Sequence, residues 1–178
     1  LGKPTEAFDT FLAALPAAAA GTVPVTGADR SWVMASRPAI WRRLLGLRDH
    51  VEAQRRAGID RIQQEILNRA KAAEDDEQLA GITVDFEGTA AARDAAVLLA
   101  ARFRGRQQYG AAAAVLARVR TGSAPARRPL HLAWLELYLA ADRSREGRLL
   151  LAQLAVADPD WQAPALQALA AKLETGKA

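Results

Sequence analysis

An all-α fold is predicted for this 178-residue chain by three observations: a bias to Ala and Leu over β-branched residues, apolar residues recurring at helical spacing, and two segments that share one pattern. Hydrophobic residues make up 51% and charged residues 25%, the balance of a globular protein large enough to bury a core without covalent staples. The absence of cysteine excludes disulfides, thiol nucleophiles and cysteine-ligated metals, and leaves the compartment open. No run of about 18 apolar residues occurs, so no membrane-spanning helix is expected. The first residue is Leu1 rather than Met, which fits a cleaved signal peptide, a lipoprotein trimmed at its anchor, or a piece of a longer protein. On this footing a periplasmic or envelope-associated location is slightly favoured over the cytoplasm.

Two regions are expected: residues 1–35, a short helix with an extended connector, and residues 36–178, the helical body. Pro4, Thr5 and Glu6 read as a helix start, and Phe8, Phe11, Leu12 and Leu15 form its apolar stripe before Pro16 stops it. Gly21, Pro24 and Gly27, with isolated Val23, Val25, Trp32 and Val33, read as the connector. Ser36 and Pro38 then suit a helix N-cap and first turn, and Ile40, Trp41, Leu44, Leu47 and Val51 form the next buried stripe. Gly58 is expected to end that helix, and Asp60 with Gln63 to start another carrying Ile62, Ile66, Leu67 and Ala70, so that 37–73 forms a helix pair. After the acidic residues Glu74, Asp75, Asp76 and Glu77, the alternation of Ile82, Val84 and Phe86 departs from the helical period and looks strand-like over a few residues.

The repeat lies further on. Leu99, Ala100, Phe103, Tyr109, Ala112, Leu116 and Val119 form one copy of the pattern, and Trp134, Leu135, Tyr138, Gly147, Leu151 and Leu154 stand about 35 residues later at the same relative positions, followed by Asp158 and Pro159. The small residues Ala112 and Gly147 are expected to let helices cross closely, with Phe103 and Tyr138 filling the space between them. This pattern resembles the tetratricopeptide repeat family over about residues 90–160, and Leu166, Leu169 and Leu173 give the segment 161–175 the character of a terminal capping helix. The sequence departs from the family pattern where Leu135 occupies a usually small position, where Ser144 replaces a tyrosine-like residue, and where the first repeat lacks a closing proline. The resemblance implies antiparallel helix pairs in a right-handed array, with 37–73 as a divergent third unit.

Catalytic chemistry finds little support. His50 and His131 stand in separate helices without motif neighbours, and no HExxH, GxSxG, Walker or GxGxxG motif occurs, so neither an enzyme nor a cofactor is expected. The acidic run 74–77 lacks the spacing of a calcium loop and reads as a solvated helix end, so no metal is expected. A net charge of +4 raises the question of nucleic acid. Arg102, Arg104, Arg106, Arg118, Arg120, Arg127 and Arg128 fall close together in sequence, but no aromatic interleaving or helix-turn-helix signature accompanies them, and no nucleic-acid partner is expected.

If the resemblance holds, the first helix of each pair lines a concave face. That implies Val97, Leu98, Ala101 and Arg104 in one repeat and Leu132, Glu136 and Leu139 in the next as partner-binding residues, a largely apolar groove edged by two charges of opposite sign. The implied function is a protein-interaction module or scaffold engaging a protein or peptide. An alternative is a helical carrier of an apolar small molecule or lipid in a bacterial envelope, walled by Phe8, Phe11, Trp32, Val33 and Trp41. A further alternative is an accessory subunit of a secretion or transport assembly.

Overall fold

The computed structural model describes residues 4–14, 22–27, 30–120 and 123–175. It divides into two compact units, Leu1–Glu87 and Gly88–Ala178. The boundary expected at 35/36 falls inside the first unit, and the repeat-like segment lies wholly in the second. Both cores are built from helices, and the only β structure among the described residues is a two-stranded hairpin.

The first unit contains α1 (Pro4–Ala14), β1 (Thr22–Gly27), β2 (Arg30–Ala35), α2 (Ser36–Leu47), a 3-10 turn at Arg48–His50, α3 (Ala53–Ala72) and α4 (Asp76–Asp85). Part of the expected connector is therefore paired: β1 runs antiparallel to β2 with Val25 opposite Trp32, so the backbone groups on the facing edges of the two strands can pair. Its core is made by Phe8, Ile40, Trp41, Leu44, Ile59, Leu79 and Phe86, all essentially excluded from solvent. Trp41 meets Phe86 edge to face, with ring centroids 4.5 Å apart, the arrangement that sets one ring's positive edge against the other's negative face.

Two expectations for this unit are corrected. The helix break falls at Val51 and Glu52 rather than at Gly58, which lies inside α3. A side chain at Gly58 would meet nothing within 4 Å, so no close packing demands the glycine there. The helix accommodates it at the usual cost of about 1 kcal/mol. Residues 76–85 form α4 rather than an extended segment: Leu79, Ile82 and Phe86 are buried at i, i+3 and i+7, while Val84 is 57% exposed. Within the acidic run, Asp75 is the N-cap of α4, its carboxylate accepting from the Gln78 amide at 2.8 Å.

The second unit contains α5 (Ala90–Gly105), α6 (Tyr109–Arg118), α7 (Ala124–Ala140), α8 (Ser144–Ala157) and α9 (Pro164–Thr175). Each helix packs on the next, and α7 also packs on both α5 and α9. The central helix α7 explains this arrangement, because it is apolar on two sides. Leu130, Ala133 and Leu137 join Ala100, Ala112 and Leu116 in one cluster, with Phe103 and Tyr109 against it. Leu135 joins Leu154, Trp161 and Leu173 in another. Leu135 is large where the family pattern is small because it is the fully buried centre of this second cluster.

The turns repeat more closely than the side chains do. Gln107 and Asp142 both adopt a left-handed conformation (φ 59° and 54°), 142 − 107 = 35 residues apart. Around them, Gln108 N–H donates to Phe103 O and Arg143 N–H to Tyr138 O, each at 2.8 Å, while the left-handed residues themselves donate to Arg104 O and Leu139 O. This is the paired closure of a Schellman turn, which satisfies carbonyls that a helix end otherwise leaves open. In the first unit the α3–α4 turn has the same form, with Glu74 left-handed (φ 52°) and Asp75 N–H donating to Ala70 O at 3.1 Å. Because non-glycine residues are strained at positive φ, Gln107→Gly and Asp142→Gly are each expected to stabilise the fold by about 1 kcal/mol in urea unfolding.

The helix crossing expected at Gly147 is present, but its partner is α9. A Cβ built on Gly147 would lie 2.6 Å from Leu173 Cδ2, and Leu173 is fully buried. Gly147→Ala is therefore expected to destabilise by about 1–3 kcal/mol, overpacking outweighing the helix-propensity gain. In a Leu173→Ala background the same substitution should become stabilising, and a double-mutant cycle by urea unfolding reads the sign change.

Candidate partner-binding face

The face is built on α5 and α7, which pack side by side. Thr89 starts α5 by accepting from the Ala92 amide at 3.3 Å. Arg93 then reaches across to α7, donating to Ala126 O at 3.4 Å while paired with Asp94 at 2.8 Å. Further along the helices Arg104 forms an ion pair and hydrogen bond with Glu136. Val97, Ala101 and Arg104 stand at i, i+4 and i+7 of α5, and Leu132, Glu136 and Leu139 have the same spacing on α7, so each trio occupies one helical face.

All seven residues expected to bind a partner are half-buried. Val97 rests against the α5–α6–α7 cluster, and Leu132 and Leu139 against the cluster around Leu135. Leu98 and Ala101 belong to neither cluster and keep partial exposure. The two charges do not stand apart as separate rims. They satisfy each other between neighbouring helices, which leaves an apolar surface with its charge internally balanced.

Five of the seven arginines near this region are engaged with other groups, while Arg118 and Arg120 are exposed. Arg104 is held by Glu136, and Arg128 grips Asp158 through two hydrogen bonds of 2.7 and 2.9 Å while lying 5.7 Å from the centre of the Trp161 ring. Arg102, Arg106 and Arg127 each interact with another group. The two-pronged grip of Arg128 holds the Asp158 carboxyl below its ordinary range. Nearby, burial first and the charge of Arg127 second lower the pKa of His131, favouring its neutral form.

Both shifts give the second unit the same acid sensitivity. The unfolded chain takes up a proton at His131 below about pH 6.5, before the folded chain does, so stability declines as pH falls from that point. The contribution of Asp158 is complete above 3.8, its ordinary value, and is lost as pH falls through the lower folded value. Urea midpoints near pH 7, 5 and 3 should fall in that order, with Asp158→Asn lowering the neutral midpoint and flattening the most acidic step.

Sequence reasoning missed two recesses. In the second unit, Trp134 and His131 line one with Leu116, Val119 and Leu130, edged by Arg120 and Arg127. The available signal was the i, i+4, i+7 spacing of Arg127, His131 and Trp134. In the first unit, Phe11 and Ala7 of α1 face α2 across an apolar groove. The walls expected for a carrier are only partly there: Phe8 and Trp41 are buried in the core, Phe11 lines the groove, and the side chains of Trp32 and Val33 lie outside the described residues.

Among the described residues no three His, Asp or Glu side chains are grouped to hold a metal ion, and no helix is long and apolar enough to cross a membrane. No protein-family model matches the sequence, and neither a curated relative nor a solved structure matches it.

Proposed function

We propose that this protein is a non-catalytic, tetratricopeptide-like binding module or scaffold that engages a segment of another protein along the α5–α7 face. The observation that carries this reading is the recurrence of one Schellman-closed turn, with left-handed residues at Glu74, Gln107 and Asp142, in step with three helix pairs. The spacings, 107 − 74 = 33 and 142 − 107 = 35, bracket the family's period of about 34 residues. The packing of α7 on both α5 and α9 supports a serial array in which α9 continues the order, as a capping helix would. Within the first unit, α3 and α4 are joined by a turn of the same form.

The chemistry of the face favours an apolar partner segment. With Arg104 and Glu136 neutralising each other, affinity comes from apolar area, at about 25 cal/mol per Å² removed from water, and an amphipathic helix or extended apolar peptide suits it. The ion pairs of Arg104 and Arg128 remove two of the nearby cations from those that could meet a phosphate backbone.

The test is site-specific photo-crosslinking in the native host from positions 98 and 139, with exposed position 168 as control. One protein captured from both face positions and not from the control is the expected outcome. Capture from the control alone, or identical capture from all three, would remove this face from consideration.

A further inference from the structure

The groove in the first unit has a composition that the protein-binding reading of the second unit does not use. Its floor and walls are apolar, formed by Ala7 and Phe11 of α1 with Ala39, Gly46 and Leu47 of α2. Its volume of about 630 Å³ falls within the range of roughly 300–1,000 Å³ typical of small-molecule sites. Among the described residues two charged side chains line it, Arg42 and Arg43, and both are exposed.

Helical geometry puts these features together. Ala39, Arg42, Arg43, Gly46 and Leu47 follow the i, i+3, i+4, i+7, i+8 spacing of one face of α2, opposite the side that buries Trp41 and Leu44. Neither arginine makes an ion pair among the described residues, although other arginines of this unit do: Arg48 pairs with Asp60 and Arg55 with Asp9. Among the described residues no carboxylate lines the groove. An apolar trough with two uncompensated guanidinium groups is complementary to a molecule with an apolar body and an anionic end.

We infer that the α1–α2 groove binds a long-chain fatty acid, its acyl chain against Phe11, Ala39 and Leu47 and its carboxylate at Arg42 and Arg43. The volume suits a single chain. The inference stands apart from the α5–α7 face, so either can fail alone.

Gly46 makes the test clean. A Cβ there would meet nothing within 4 Å, so Gly46→Leu projects a side chain into open groove space without displacing the core, and it replaces glycine with a better helix former. Binding of oleate to the full chain is measured by isothermal titration below the concentration at which oleate forms micelles. Oleyl alcohol serves as the uncharged comparison, and phosphatidylglycerol vesicles as the membrane comparison.

The expected result is saturable one-to-one binding of oleate. Gly46→Leu should weaken it roughly tenfold or more with no loss of thermal stability. Arg42→Ala with Arg43→Ala should weaken oleate by a similar factor and leave oleyl alcohol unchanged. Three results would each overturn the inference: no saturable oleate binding, oleate and oleyl alcohol bound equally well, or vesicle binding without binding of free oleate. Should Gly46→Leu fail to fold, the exposed arginine pair still decides the matter, because equal oleate affinity in that variant and the parent contradicts the assignment.

Discussion

Replacement of Trp41 by alanine is expected to cost the first unit about 3–5 kcal/mol, the largest single effect in that half of the chain. Trp41 is 1% exposed and lies against Phe86, itself fully buried, so truncation opens a void between α2 and the residue that ends α4. The surrounding side chains have little freedom to close it, since Phe8, Ile40 and Leu44 are equally enclosed. Trp41→Phe keeps an aromatic ring and should retain most of the stability. Val84→Ala, on the exposed side of α4, should change it by no more than about 0.5 kcal/mol. Urea unfolding followed by far-UV circular dichroism orders the three variants. Equal midpoints for Trp41→Ala and Val84→Ala would contradict the packing described.

The second large effect is Leu135→Ala, expected to cost the second unit about 2–5 kcal/mol. Leu135 is fully buried and shares a cluster with Leu154, Trp161 and Leu173, so its loss loosens α7, α8 and α9 together. The tetratricopeptide pattern alone suggests the opposite, since a small residue is usual there and alanine would look restorative. The surroundings decide: a volume filled by this leucine is left empty by alanine, whatever other repeats contain. Trp161 sits in the same cluster and reports its exposure, and a red-shifted emission in the folded variant would accompany the loss of stability.

The contrast between these residues shows what could be read from the sequence. The helices α5 to α8 were legible because their apolar residues recur at helical spacing, and the turn at 106–108 has a counterpart 35 residues on. Where one residue outweighed the pattern, the reading slipped. Gly58 was taken for a helix end, although a glycine inside a helix costs only about 1 kcal/mol, which tertiary packing readily offsets. Val84 suggested alternation, but Leu79, Ile82 and Phe86 form the buried stripe, and one exposed valine does not alter a helix. Pairing between distant segments was beyond reach: the Gly147–Leu173 contact and the Arg128–Asp158 grip each join residues that no local period relates.

The candidate face followed the same division. Sequence places Arg104 and Glu136 at the edge of an apolar stripe and assigns them to a partner's charges, whereas in the structure they pair with each other. Their ion pair between α5 and α7 balances the charge of that face internally. The first-unit groove was hidden because Arg42, Arg43 and Gly46 look like ordinary surface positions until α1 is laid beside α2.

The central claim, that the α5–α7 face is where a partner protein binds, is tested most directly by one affinity comparison. The partner captured by crosslinking is titrated against the parent chain and against a Leu98→Glu, Leu139→Glu double variant, with circular dichroism and thermal melting as controls of the fold. Each side chain is partly exposed, so a glutamate at either position can turn its carboxylate to water in the free protein, although Leu139→Glu gives up contacts with the cluster around Leu135. The account predicts affinity weakened by about a hundredfold or more, equivalent to at least ~2.7 kcal/mol, in a variant that keeps its helical circular dichroism and still melts cooperatively above the assay temperature. Affinity within about twofold of the parent, in a variant that is fully folded, would contradict it.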